Sequence, residues 1–191
     1  MPKKKKWNLS LVVGGGIVLF FVLVALLAPL LAPCDPHAMG IPYLRPSGEH
    51  LLGTNDVGQD IFSELIYGTR VSMLIGFFTA FIVTILATGL ALLAGYYGGW
   101  VDRVVTALTN ITMALPNLTV LLVAYLNPGK LSVIIAISLT AWTGTTRILR
   151  ARVTQLCQLP FVKIEKALGV RDGVIMVKHL IPNLKDIILT R

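Results

Sequence analysis

From Val71 to Trp100 the chain carries no charged side chain, and three more runs share that property: Trp7 to Cys34, Val104 to Gly129, and Leu131 to Thr146. A bilayer core needs ~20 apolar residues per helical crossing, and only structures that satisfy their own backbone survive there. These runs therefore predict an all-α membrane protein. Composition agrees: of 191 residues, 55% are hydrophobic and only 14% charged, where a soluble domain carries roughly a quarter charged residues. The predicted spans are about Leu11 to Leu31, Ser72 to Ala94, Asp102 to Tyr125, and Leu131 to Thr146. Pro116 falls inside the third and should kink it.

Charge sets the orientation. Lys3 to Lys6 precede the first span, and a basic flank is retained on the cytoplasmic side. The apolar run is too long for a signal-peptide core of ~7–15 residues, so an uncleaved first span is expected. Four crossings then return the chain to the cytoplasm, where Arg147, Arg150, Arg152, Lys163, Lys166, Arg171, Lys178, Lys185 and Arg191 outnumber Glu165, Asp172 and Asp186. The net charge of +8 is thus concentrated beside apolar spans, and no nucleic-acid partner is expected. Cys34 and Cys157 fall on opposite sides of the membrane and should not pair. No spacing of Cys or His suits a metal, and no nucleophile–base set or phosphate loop is present, so neither a cofactor nor catalysis is expected. Beyond Asp102 and Arg103 at the start of the third, the predicted spans hold no charge of the kind that marks a proton path. Energy for any transport must come from another subunit.

Residues 33–70 form a polar connector on the predicted outer side. Its Gly58 to Tyr67 half reads as a short surface helix, with Ile61, Leu65 and Ile66 on one side. Asp56, Asp60 and Glu64 are candidates for an outer-side contact, or else solvated charges and helix caps. After the fourth span, residues 160–183 are both charged and helix-patterned. Pro160 suits a first helical turn, Phe161, Ile164 and Leu168 recur at helical spacing, and Gly169 suits a left-handed stop. A turn at Arg171 to Gly173 and a second short helix ended by Pro182 should follow. The apolar face of such a helix needs a surface: the membrane, the chain's own spans, or a partner groove.

Several segments together resemble one family. His50-Leu51-Leu52-Gly53-Thr54-Asn55-Asp56-Val57-Gly58-Gln59-Asp60, Tyr67-Gly68-Thr69-Arg70-Val71-Ser72, Ala94-Gly95-Tyr96-Tyr97-Gly98-Gly99-Trp100-Val101-Asp102 and Ala114-Leu115-Pro116 are similar to motifs of the inner-membrane permeases of ABC importers, in their dipeptide, oligopeptide and nickel branch. Residues 160–183 resemble that family's coupling loop, aligned on Ala167-Leu168-Gly169 and continuing through His179-Leu180-Ile181-Pro182-Asn183. Lys163 stands where the family has a glutamate, and Ile164 and Glu165 where it has alanines.

The resemblance implies a type I ABC importer permease-like helical bundle, with four complete transmembrane helices and a cytoplasmic coupling loop. Residues 1–70 would hold the first span and outer connector, and residues 71–191 the transmembrane domain. Phe161, Lys163, Glu165, Ala167 and Gly169 would form the contact with the ATP-hydrolysing subunits. The implied setting is a bacterial inner membrane, with a second homologous permease subunit, a substrate-binding protein and membrane lipid as further partners. Peptide or nickel would be the substrate. The branch has two further spans after this loop, so a truncated and inactive copy is expected. The rival class is a non-transporting membrane protein whose basic loop binds anionic lipid or another partner. A lipoprotein cleaved before Cys34 is disfavoured by the later spans.

Overall fold

The computed structural model describes residues 9–115, 118–126 and 129–190. Among these the ordered elements are helical, with one isolated antiparallel bridge between Thr54 and Asp60. The chain divides into two compact units, Met1–Gly76 and Phe77–Arg191.

In the first unit, α1 (Leu9–Leu26) and α2 (Ala28–Leu31) occupy the expected first span. The single helix expected there is interrupted at Leu27. Pro29, at the start of α2, lacks an N–H and its ring crowds the carbonyl of Ala25 one turn back. The side chains from Ile17 to Leu23 are exposed, as suits a lipid-facing surface. A long loop then leads to α3 (Ile61–Tyr97), which begins in this unit and ends in the second. The short surface helix expected at Gly58 to Tyr67 is not separate: nothing between Tyr67 and Ser72 breaks a helix, so it runs on into the apolar stretch.

The second unit holds the end of α3, α4 (Gly99–Ala114), α5 (Leu118–Tyr125), α6 (Lys130–Cys157), α7 (Pro160–Ala167), α8 (Asp172–Val174), a π-helical turn (Ile175–Leu180) and α9 (Ile181–Leu189). The third span, expected as one kinked helix, is two helices, α4 and α5, whose axes differ by 80°. Leu115, which precedes a proline, is extended, as the proline ring requires of its neighbour; the expected kink at Pro116 itself lies outside the described residues. Among the described residues α3 and α6 are long and apolar enough to cross a membrane, α4 with α5 makes a third crossing if the bent pair is one span, and Val12–Leu26 is a shorter apolar helix. That makes two or three spans where four complete ones were expected.

The core of this unit gathers Ala91, Leu92 and Tyr96 of α3 with Leu149, Val153 and Leu156 of α6, Val162 of α7, and Ile175, Leu180 and Leu184. Gly95 permits the closest approach in this core: a Cβ there would lie 2.7 Å from Cβ and Cγ1 of Val153 and 3.0 Å from the Arg150 carbonyl oxygen. Gly98 and Gly99 (φ +64° and +57°) turn the chain from α3 into α4 in a conformation that L side chains resist. One turn into α4, Asp102 accepts from Nε and Nη2 of Arg150 in α6. The same helices meet again where Arg147 Nη2 donates to Asn110 Oδ1 at 3.0 Å.

Candidate functional site

The α7 segment is set at both ends by its own sequence. Leu159 is extended and Pro160 opens the helix where its missing N–H costs nothing. Gly169, at φ +75°, closes it. There Gly169 N–H donates to Lys166 O and Val170 N–H to Glu165 O, both at 3.1 Å, the Schellman pattern that satisfies the last carbonyls. The continuation differs from expectation. Pro182 does not end a helix; it sits in the first turn of α9 and the coil passes through it. The π-helical turn just before it widens the coil, so the proline ring is accommodated without collision with the preceding carbonyls.

Within α7 the inward residue is Val162, with no exposed surface, packed among Leu156, Ile175 and Leu180. The helical stripe Phe161, Ile164 and Leu168 faces outward instead, 37%, 58% and 76% exposed. Lys163, Ala167 and Gly169 share that exposure. Glu165 is turned inward: its Oε1 lies 3.3 Å from His179 Nε2, and its Oε2 is buried without a hydrogen-bond partner. Of the five predicted contact residues, then, Phe161, Lys163, Ala167 and Gly169 lie on the accessible side and Glu165 does not.

Side chains outside the predicted set hold the helix in place. Lys166 Nζ sits 3.8 Å from the centroid of the Tyr96 ring at the end of α3, a cation–π contact. The Tyr96 hydroxyl donates to Asp172 Oδ1 of α8 at 2.6 Å. The sequence does not single out Val162 and singles out Tyr96 only as part of its motif. A hint lay in its position inside a glycine-bracketed motif, where Gly95 demands a close helix crossing.

The connector before α3 is held by hydrogen bonds around two glycines. Gly53 (φ +78°) and Gly58 (φ +83°) each leave no room for a side chain, since a Cβ would fall 2.4 Å from Leu44 O and 2.2 Å from Gly40 O respectively. Thr54 Oγ1 accepts from Leu44 N–H at 2.9 Å and donates to Ile41 O at 2.7 Å. Asn55 Oδ1 accepts from the Val57 and Gln59 amides at 3.0 and 2.9 Å, while its Nδ2 donates to Glu64 Oε2 at 3.0 Å.

Asp60 is 2% exposed and caps α3, its Oδ2 accepting from Ser63 N–H at 2.8 Å and its Oδ1 facing His50 Nδ1 at 3.2 Å. Burial acts to raise its pKa, but the hydrogen bonds from Ser63 and the contact with His50 outweigh this and hold the carboxyl below its ordinary value. Of the three acidic candidates for an outer-side contact, Asp56 is exposed, Glu64 is tied to Asn55, and Asp60 is committed to the loop's interior.

Residues 87–191 match the family described as binding-protein-dependent transport system inner membrane component, and residues 8–49 match the N-terminal transmembrane domain of oligopeptide transport permease C. The chain is 37% identical over 186 residues to the dipeptide transport system permease protein DppC of Alkalihalophilus pseudofirmus, covering 95% of this chain and 61% of that protein. It is 32% identical over 177 residues to the glutathione transport system permease protein GsiD of Pectobacterium atrosepticum, covering 90% and 58%. It is 31% identical over 186 residues to the oligopeptide transport system permease protein OppC of Bacillus subtilis, covering 95% and 61%. The chain spans about three fifths of the length of these relatives.

Proposed function

Because this chain belongs to the binding-protein-dependent transport system inner membrane component family, we propose that it serves as a permease subunit of an ATP-driven peptide importer in a bacterial inner membrane. Peptide is the substrate class because the relatives are named for dipeptide, glutathione and oligopeptide transport. In this reading residues 1–70 supply the first span and an outer-side connector, and residues 71–191 the transmembrane domain. The four crossings are α1 with α2, α3, α4 with α5, and α6, with the N-terminus and α7 in the cytoplasm, as the lysines at 3–6 and the basic residues from Arg147 onward favour. A homologous permease, a substrate-binding protein and separate ATP-hydrolysing subunits complete the assembly. Hydrolysis belongs to those subunits, and this chain carries the motion. Asp56 faces the binding protein, with Glu64 held by the neighbouring Asn55, while Asp60 holds the loop that presents them.

The observation that carries this reading is the division of labour on α7. Val162, Glu165 and Lys166 fasten the helix to its own chain, while Phe161, Ile164 and Leu168 stay exposed around Lys163. A rigidly held helix with an unburied apolar face suits an ATPase groove. Burying a side chain such as Ile164 is worth about 2 kcal/mol, or roughly 30-fold in affinity. Ile164→Ser should therefore leave membrane insertion intact and release the ATP-hydrolysing subunit during purification. Retention of that subunit by Phe161→Ser/Ile164→Ser would refute the assignment. The exposed Lys163 beside an apolar stripe also suits an anionic lipid surface. Salt-sensitive binding to anionic vesicles with no co-purifying ATPase would favour that reading instead.

A further inference from the structure

Tyr96 is 7% exposed, in the last turn of α3, and three other helices converge on it and on the residue before it. Lys166 of α7 lies over its ring and Asp172 of α8 accepts from its hydroxyl. Gly95 brings α6 so close that Val153 and the Arg150 carbonyl crowd the place of a missing Cβ. The Glu165–His179 contact joins α7 to the π-helical turn, so α7, α8 and that turn are cross-linked through side chains. Val162 of α7 shares an apolar cluster with Ala91 and Leu92 of α3, and packing of that kind is non-directional and lets helices slide past one another. A hydrogen bond to a carboxylate and a cation held over a ring are directional, and both end on one side chain.

We propose that Tyr96 is a positioning residue for coupling: it fastens α7 and α8 to the end of α3, so that displacement of α7 reaches the membrane helix instead of dissipating in the connecting loops. The proposal rests on the reading of α7 as the contact with the ATP-hydrolysing subunit. The ordinary role of such a tyrosine is a satisfied core residue, and the two roles make different predictions. Tyr96→Phe keeps the ring, its burial and the Lys166 contact and removes only the O–H donor. Asp172→Ala removes the acceptor, whereas Asp172→Asn keeps an oxygen in its place.

The test is peptide uptake per ATP hydrolysed by the complete transporter in proteoliposomes. The ratio should fall several-fold in Tyr96→Phe and in Asp172→Ala, no further in the double variant, and recover in Asp172→Asn. A merely structural role would reduce the amount of assembled transporter, lowering uptake and hydrolysis together and leaving the ratio unchanged; that result overturns the proposal, as does an Asp172→Asn variant as impaired as Asp172→Ala. If the unmodified transporter couples uptake to hydrolysis and the variants keep its ratio, only the role of Tyr96 falls. A transporter containing this chain whose hydrolysis never drives uptake overturns the reading of α7 and this proposal together.

Discussion

Replacing Gly95 with alanine adds one methyl group at the tightest crossing of the second unit. The new carbon would sit 2.7 Å from Cβ and Cγ1 of Val153 and 3.0 Å from the Arg150 carbonyl oxygen. Carbon pairs are most favourable at about 3.5–4.0 Å, so α3 and α6 must separate by roughly an ångström there. Leu149 and Leu156 are packed in the same cluster and would lose contact as the helices part. Overpacking of this kind costs ~1–3 kcal/mol. Alanine is meanwhile the better helix former by up to ~1 kcal/mol, so the net loss expected for Gly95→Ala is ~0–2 kcal/mol. Gly144 in α6 provides the matched control, because nothing lies within 4 Å of its missing Cβ. Gly144→Ala should gain the propensity term alone, so the difference between the two variants isolates the strain at ~1–3 kcal/mol. Reversible unfolding of the detergent-solubilised chain by added SDS, followed by circular dichroism, measures that difference. Adding Val153→Ala removes one of the two crowding carbons and should recover part of it. A Gly95→Ala protein as stable as Gly144→Ala would refute the close-crossing argument.

Asp60 gives a pH dependence of definite sign. Its folded pKa lies below the ordinary 3.8, so its contribution to the connector is complete above 3.8 and is lost as pH falls through the lowered folded value. Protection of the Ser63 amide from hydrogen exchange, corrected for intrinsic rates, should follow that course and lose its acid step in Asp60→Asn; a decline beginning well above 3.8 contradicts it. Asp102→Ala removes the carboxylate that receives Arg150 between α4 and α6. The pair is partly exposed, so the expected loss in SDS unfolding is modest, about 1–2 kcal/mol. Exchanging the two residues should restore some of it, and a fully neutral Asp102→Ala would count against the pair's role.

The bounds of α7 were legible because proline and glycine act on their own backbones. Pro160 opens the helix and Gly169 closes it in a left-handed conformation, as their chemistry alone requires. The orientation of that helix was not legible. Periodicity says that Phe161, Ile164 and Leu168 share a face, but a helix of eight residues can dock by one valine and leave its larger apolar face outside. The acidic connector residues were open between contact and capping for a similar reason. Nothing local says which carboxylate the loop will bury, and burial fell on Asp60, where His50 and Ser63 meet it.

By itself the sequence determined that this chain is helical and apolar in long runs, where its glycines and prolines punctuate it, and which family it resembles. Those properties are local: a missing Cβ, a missing N–H, or a stretch without charge acts on the residues beside it. Only the tertiary structure decided that Tyr96 meets Asp172 across 76 residues and that Asp102 meets Arg150 across 48. Such pairings depend on how closely α3 and α6 approach, on the turn between α3 and α4, and on the passage of the chain through Pro182. Geometry accumulated over several elements sets each of these. The same accumulation placed α7 with its apolar stripe free, the feature on which its proposed partnership depends.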